Sequence, residues 1–128
     1  MSFIETLDLV LNQNKNASLA IPMENYMKNN FSFLGIKAAL RRELMKQCCA
    51  QYPADIKTNF RAICQELYLK KEREYHLIAI DIFMKEVKSN YLVDDIYIIE
   101  NMIISNSWWD SVDVVAKYLV GGYLVQFP

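Results

Sequence analysis

Apolar residues recur along most of the chain at steps of three and four, the spacing that lines one face of a helix. Within 2–12, Phe3, Ile4, Leu7, Leu9, Val10 and Leu11 keep mostly to that step, and Ser2 and Glu5 stand at capping-box spacing. A polar NQNKN break precedes a second helix over 17–30, with Pro22 near its first turns and Tyr26 and Met27 further along. FSFLGIK (31–37) predicts a connection in which Gly35 permits a left-handed turn and the aromatics plug the core. The third helix, 39–52, has Leu40, Leu44 and Cys48 on one face and Arg41, Arg42 and Lys46 elsewhere, and Tyr52-Pro53 ends it. Phe60, Ile63, Cys64 and Leu67 mark a fourth helix over 55–69. KKERE (70–74) reads as a charged, solvated bridge. Tyr75, Ile78, Ala79, Ile82, Phe83 and Val87 form the stripe of a fifth helix over 74–88. Ile96, Ile99, Met102 and Ile103 turn inward on a sixth over 92–104, whose acidic start, Asp94-Asp95, suits a helix N-terminus. The seventh, 105–119, is expected to be capped by Ser105, Asn106 or Ser107.

These elements predict an all-α chain of about seven helices. The third, fifth and seventh helices begin about 35 residues apart, the period of two-helix repeats of the HEAT or armadillo kind. The expected architecture is therefore a HEAT-like helical-repeat superhelix, with residues 1–128 forming a single domain. Gly121-Gly122 predicts a helix break, after which Tyr123, Leu124, Val125 and Phe127 would lie uncovered. A solenoid closes with a polar capping helix, so the sequence is expected to be the N-terminal part of a longer architecture.

Composition supports long helices. Three glycines and three prolines in 128 residues are too few for a turn-rich β sandwich, and 53% apolar residues are enough for a core. No apolar run approaches the ~18 residues of a membrane span, and MSFIETLDLV lacks the basic start of a secretory signal. Cys48, Cys49 and Cys64 make a poor disulfide framework and point to a reducing, cytoplasmic setting. Metal-ligand spacing is absent and His76 is the only histidine, so neither metal nor cofactor is expected. A net charge of −1 argues against nucleic-acid binding unless local residues supply it.

The strongest local feature is SWWDSVD (107–113). Trp109 and Asp113 share one helix face, beside a stripe of Trp108, Val112, Val115, Ala116 and Leu119 that reads as core. An indole beside a carboxylate suits a cationic ligand. The plainer reading is that the tryptophans pack and Asp113 pairs with Lys117 one turn on. Asp110 favours the helix dipole, His76 reads as a partly exposed polar residue, and Glu72 and Glu74 read as a solvated face.

Four ordered blocks, YMKNNFSFLGIK (26–37), RREL (41–44), EREYHLIAID (72–81) and SWWDSVD (107–113), resemble successive blocks of the AlkD-type DNA alkylation-repair glycosylases. The resemblance covers about residues 22–128. It implies HEAT-like repeats curved around alkylated double-stranded DNA and excision of N3- and N7-alkylated purines. It carries the catalytic aspartate onto Asp113 and an active-site tryptophan onto Trp109. It also places Tyr26 and Lys37 near the DNA, with Lys37 where the family has glutamine. The family's later repeats supply a further arginine, a second tryptophan and much of the basic surface, none of which maps onto this chain. Three functions therefore compete: a DNA glycosylase, a catalytically impaired helical-repeat binding or scaffold module, and a DNA or RNA binder without chemistry. The second predicts self-association, as a homodimer through the uncapped C-terminal end.

Overall fold

A computed structural model describes residues 1–88 and 90–128. The chain is an all-α helical-repeat fold, with no strand among the described residues beyond one isolated bridge, Ser32 to Glu72. The helices are α1 (Phe3–Gln13), α2 (Ala17–Tyr26), α3 (Ala38–Gln51), α4 (Pro53–Tyr68), α5 (Arg73–Val87), α6 (Asp95–Ile104) and a last rod. That rod starts as α7 (Trp109–Val114), continues as a π-helical stretch (Val115–Val120) and ends as α8 (Gly121–Gln126). No helix of the described residues is long and apolar enough to cross a membrane.

Local chemistry starts the first two helices as the sequence predicts. Ser2 and Glu5 close a reciprocal capping box on α1, with Ser2 Oγ accepting from the Glu5 N–H at 3.1 Å. Asn16 caps α2 through its side chain. α2 ends at Tyr26, earlier than expected, and Lys28 and Asn29 follow at positive φ. Pro22 lies in the middle of α2, not in its first turn.

The core joins α1 to α3, α4 to α5, and α6 to the π-helical stretch. Phe3, Leu7, Cys48, Cys64, Leu67, Ile78, Phe83, Ile99 and Val115 are fully enclosed. Periodicity misplaced some residues. Leu44 and Cys48 are buried as expected, but Leu40 is exposed and Arg41 is buried beside Met45 and Cys49, so the inward face of α3 extends to the Arg41 side. Tyr52-Pro53 ends α3 as expected, and Pro53 also opens α4 as its first residue, where its missing N–H costs nothing.

Two larger corrections concern charge and glycine. Arg73, Glu74 and His76, expected in a solvated bridge or at the surface, are 0%, 1% and 1% exposed. Gly121 and Gly122 do not break the last helix, and Gly121 has helical φ −59 and ψ −47. Gly122 instead allows close packing, because a Cβ there would lie 2.4 Å from the Tyr91 hydroxyl. The end of the rod is tied to the segment before α6. Gln126 exchanges two hydrogen bonds with the Tyr91 backbone, and the Tyr123 hydroxyl donates to the Val93 carbonyl at 2.7 Å. Tyr123 is therefore buried, and Phe127 packs against its ring; Leu124 and Val125 remain exposed. The apolar end that suggested a homodimer is smaller than the sequence implied.

Candidate functional site

Trp109 and Asp113 lie four residues apart on the last rod, and both are exposed. Trp109 is 74% exposed and, with Ser107, Trp108 and Val112, lines a shallow cleft of about 280 Å³. Asp113 makes no ion pair or side-chain hydrogen bond among the described residues. The expected alternative pairing with Lys117 is absent, and Lys117 Nζ instead sits 5.3 Å from the Tyr118 ring centroid. An indole and a solvated carboxylate are thus presented together on one helix face. Of the apolar stripe beside them, Val115 and Leu119 are buried, Trp108 and Val112 are half-buried, and Ala116 is exposed.

The start of α7 is held from inside the protein. The expected cap from Ser105, Asn106 or Ser107 is replaced by Trp108, which makes no side-chain capping bond. Arg73 does the holding. Its guanidinium donates to Asp110 Oδ1 at 2.6 Å, to Ser111 Oγ at 2.8 Å and to the Asn106 carbonyl. The Phe31 ring lies 4.2 Å beneath it. Asp110, expected to serve the helix dipole, thus pairs with a fully buried cation. A planar fork of donors fixes both position and rotation of the turn that carries Trp109.

The neighbouring residue, Glu74, organises a second region. Its carboxylate accepts from three successive backbone N–H groups: Leu34 at 2.9 Å, Gly35 at 3.0 Å and Ile36 at 3.2 Å. Glu24 accepts from the Phe33 N–H at 2.9 Å. Two carboxylates thereby hold the whole connection that leads into α3. Gly35 has φ +92, and a Cβ there would fall 1.9 Å from the Asn16 carbonyl oxygen.

Tyr26 and Lys37, the other two predicted residues, flank this connection. Tyr26 is 81% exposed at the end of α2, and Lys37 is the exposed N-cap of α3 with no side-chain capping bond. Between α2 and α3 lies a cavity of about 370 Å³, lined by Tyr26, Met23, Met27, Phe33, Arg41 and Glu74, among others. Arg41 is 8% exposed; its Nη2 lies 3.9 Å from Asp81 Oδ2, and its Nε is buried without a partner. Burial lowers the Arg41 pKa, with Asp81 opposing, and burial raises that of Asp81, with Arg41 opposing.

The structure therefore hangs the two halves of the predicted site on adjacent residues of α5. Sequence reasoning missed both Arg73 and Glu74. A signal for Glu74 existed, since it stands four residues before Ile78 and eight before Ile82, on the core stripe of α5. Its charge argued against burial. Among the described residues, no group of three or more His, Cys, Asp or Glu is placed to hold a metal ion.

A sequence model of the DNA alkylation repair enzyme family matches residues 7–128. No curated protein matches the chain. Among solved structures, a predicted DNA alkylation repair enzyme from Enterococcus faecalis superposes with a TM-score of 0.71 at 28% identity. The alignment covers 88% of this chain and 53% of that one, so the chain spans about half the length of that relative.

Proposed function

Because the chain belongs to the DNA alkylation repair enzyme family, we propose that it contributes to hydrolysis of the N-glycosidic bond of cationic N3- or N7-alkylated purines in double-stranded DNA. The observation that carries this reading is Asp113. It is a solvated carboxylate with no ion-pair partner among the described residues, one helical turn from an exposed indole. An alkylated purine already bears positive charge, so its departure needs little protonation. What remains is to stabilise an oxocarbenium-like sugar and to orient the attacking water. A carboxylate beside the sugar serves both ends, as one half of the usual two-carboxylate glycosidase pair.

In this reading Trp109 lies against the sugar or the cationic base, where its ring face attracts positive charge. Tyr26 and Lys37 contact the DNA from the α2–α3 side. The helix pairs serve as HEAT-like repeats that present both groups to one duplex. Arg73 holds Asp110 and Ser111 and so fixes the turn that bears Trp109.

The test is release of 7-methylguanine from alkylated duplex DNA by this chain and by Asp113→Asn. The expected result is release above the spontaneous rate that falls at least about a hundredfold in the variant, the scale of a lost electrostatic stabiliser. Release that is equal in both proteins, or absent from both, rejects the assignment.

A further inference from the structure

The hold on the Trp109 turn passes beside a second buried group that the proposed reaction does not use. His76 is 1% exposed, and its Nε2 lies 2.6 Å from the Lys70 carbonyl oxygen. A carbonyl only accepts, so Nε2 carries the proton, and the bare Nδ1 faces Arg73 Nη1 at 3.5 Å. Neutral His76 is thus an acceptor beside the guanidinium that donates to the Asn106 carbonyl, Asp110 and Ser111. A second proton on the ring reverses that contact. It turns Nδ1 into a donor and sets two like charges against each other in a buried site.

Little around the ring can take up that charge. Phe31 and Tyr68 pack their rings against it, and the Tyr68 hydroxyl donates to the Met102 and Ser105 carbonyls. Lys70 offers its carbonyl and directs its ammonium to Asp8. The carboxylate nearest the pair, Asp110, is already engaged by Arg73. Burial lowers the His76 pKa, with the Lys70 carbonyl opposing, Arg73 reinforcing and Asp110 opposing. The Lys70 bond survives protonation, since Nε2 keeps its proton. The Arg73 backbone N–H is fixed to the Ser32 carbonyl at 2.8 Å, so the guanidinium end is the part that can move. That end reaches the turn directly. Ser111 Oγ accepts from Arg73 and donates to the Trp108 carbonyl at 3.2 Å, and α7 has no side-chain cap of its own.

We propose that His76 is a positioning residue whose protonation loosens the Arg73 grip and releases the turn that carries Trp109. On the glycosylase reading, this withdraws Trp109 from the lesion in acid; the gate itself operates without DNA.

Nuclear magnetic resonance of the chain alone, titrated from neutral to acid pH, is the test. His76 is the only histidine, so its ring signals are unambiguous, and Trp109→Phe identifies which of the two indole N–H signals belongs to Trp109. The expected result is that the Trp109 signal moves with the same midpoint as the His76 ring, below the usual 6.5, while helical circular dichroism stays constant. His76→Gln, which keeps a donor for the Lys70 carbonyl, should abolish the step, and Asp113→Asn should leave it in place. A Trp109 signal that does not follow the His76 ring overturns the proposal. So does a step that persists in His76→Gln or disappears in Asp113→Asn, or a loss of helix at the same midpoint. Should His76→Gln fail to fold, the two signals of the unaltered chain decide. Release of 7-methylguanine should fall about tenfold per pH unit below that midpoint, and an equal acid fall in His76→Gln overturns the proposal. Absence of any release rejects the Asp113 assignment and leaves the spectroscopic outcomes decisive.

Discussion

Replacing Glu74 with alanine removes the acceptor for three backbone donors at once. Leu34 is half-buried, while Gly35 and Ile36 are buried, so water reaches the vacated N–H groups poorly. Each buried donor left unsatisfied costs about 1–3 kcal/mol, which gives about 3–5 kcal/mol in total after some solvent entry at Leu34. For a domain of this size that corresponds to a fall in Tm of about 10–20 °C. Glu74→Gln keeps an oxygen near the three donors but loses the charge, and neutral hydrogen bonds are about half as strong. Its expected cost is about 1–3 kcal/mol. Glu72, two residues earlier, is half-buried and makes no side-chain cap, so Glu72→Ala should change stability by less than about 0.5 kcal/mol. Urea and thermal unfolding followed by circular dichroism supply the measurement. Should Glu74→Ala melt within a few degrees of the unaltered chain, Glu74 does not anchor the connection, and the account of how α3 is positioned is wrong.

Three further outcomes follow from the same geometry. Gly35→Ala forces a side chain into a left-handed backbone and against the Asn16 carbonyl, so it should cost more than about 3 kcal/mol and sharply reduce soluble yield; an unchanged Tm would refute the tight approach. His76 Nε2 donates to the Lys70 carbonyl at 2.6 Å, leaving Nδ1 to face Arg73, and burial lowers the pKa below the usual 6.5, with the Lys70 carbonyl opposing and Arg73 reinforcing. Its stabilising contribution is therefore complete above pH 6.5 and is lost as pH falls from there through the folded value, a slope that unfolding titrations should find and that His76→Gln should flatten. Burial pushes the Cys49 thiol up to about 11 and raises those of Cys48 and Cys64 as well, so all three should react slowly with a disulfide reagent at pH 8 until the chain unfolds; fast labelling of the folded chain would contradict their enclosure.

The sequence by itself determined the helices, because burial of one face imposes a period of three to four that survives without knowledge of any partner. It determined the capping box at Ser2 and Glu5 and the left-handed turn at Gly35, since both depend on neighbours in the chain. Four ordered blocks also pointed to the family that the comparisons support. The sequence could place Trp109 and Asp113 on one face, but not say that Asp113 is unpaired.

Tertiary structure decided the fate of charge. Arg73 and Glu74 look like solvent-facing residues from composition, yet their partners lie 37 to 40 residues away in sequence, at Asp110 and Ser111 or at Leu34, Gly35 and Ile36. A buried ion is tolerable only when distant groups converge to satisfy it, and no local pattern reports that convergence. The same holds for Gly122, whose role is set by the approach of Tyr91 and not by its own helix. The cavity between α2 and α3 likewise draws its lining from residues far apart in the chain, Pro22 to Met27 on one side and Arg41 and Glu74 on the other.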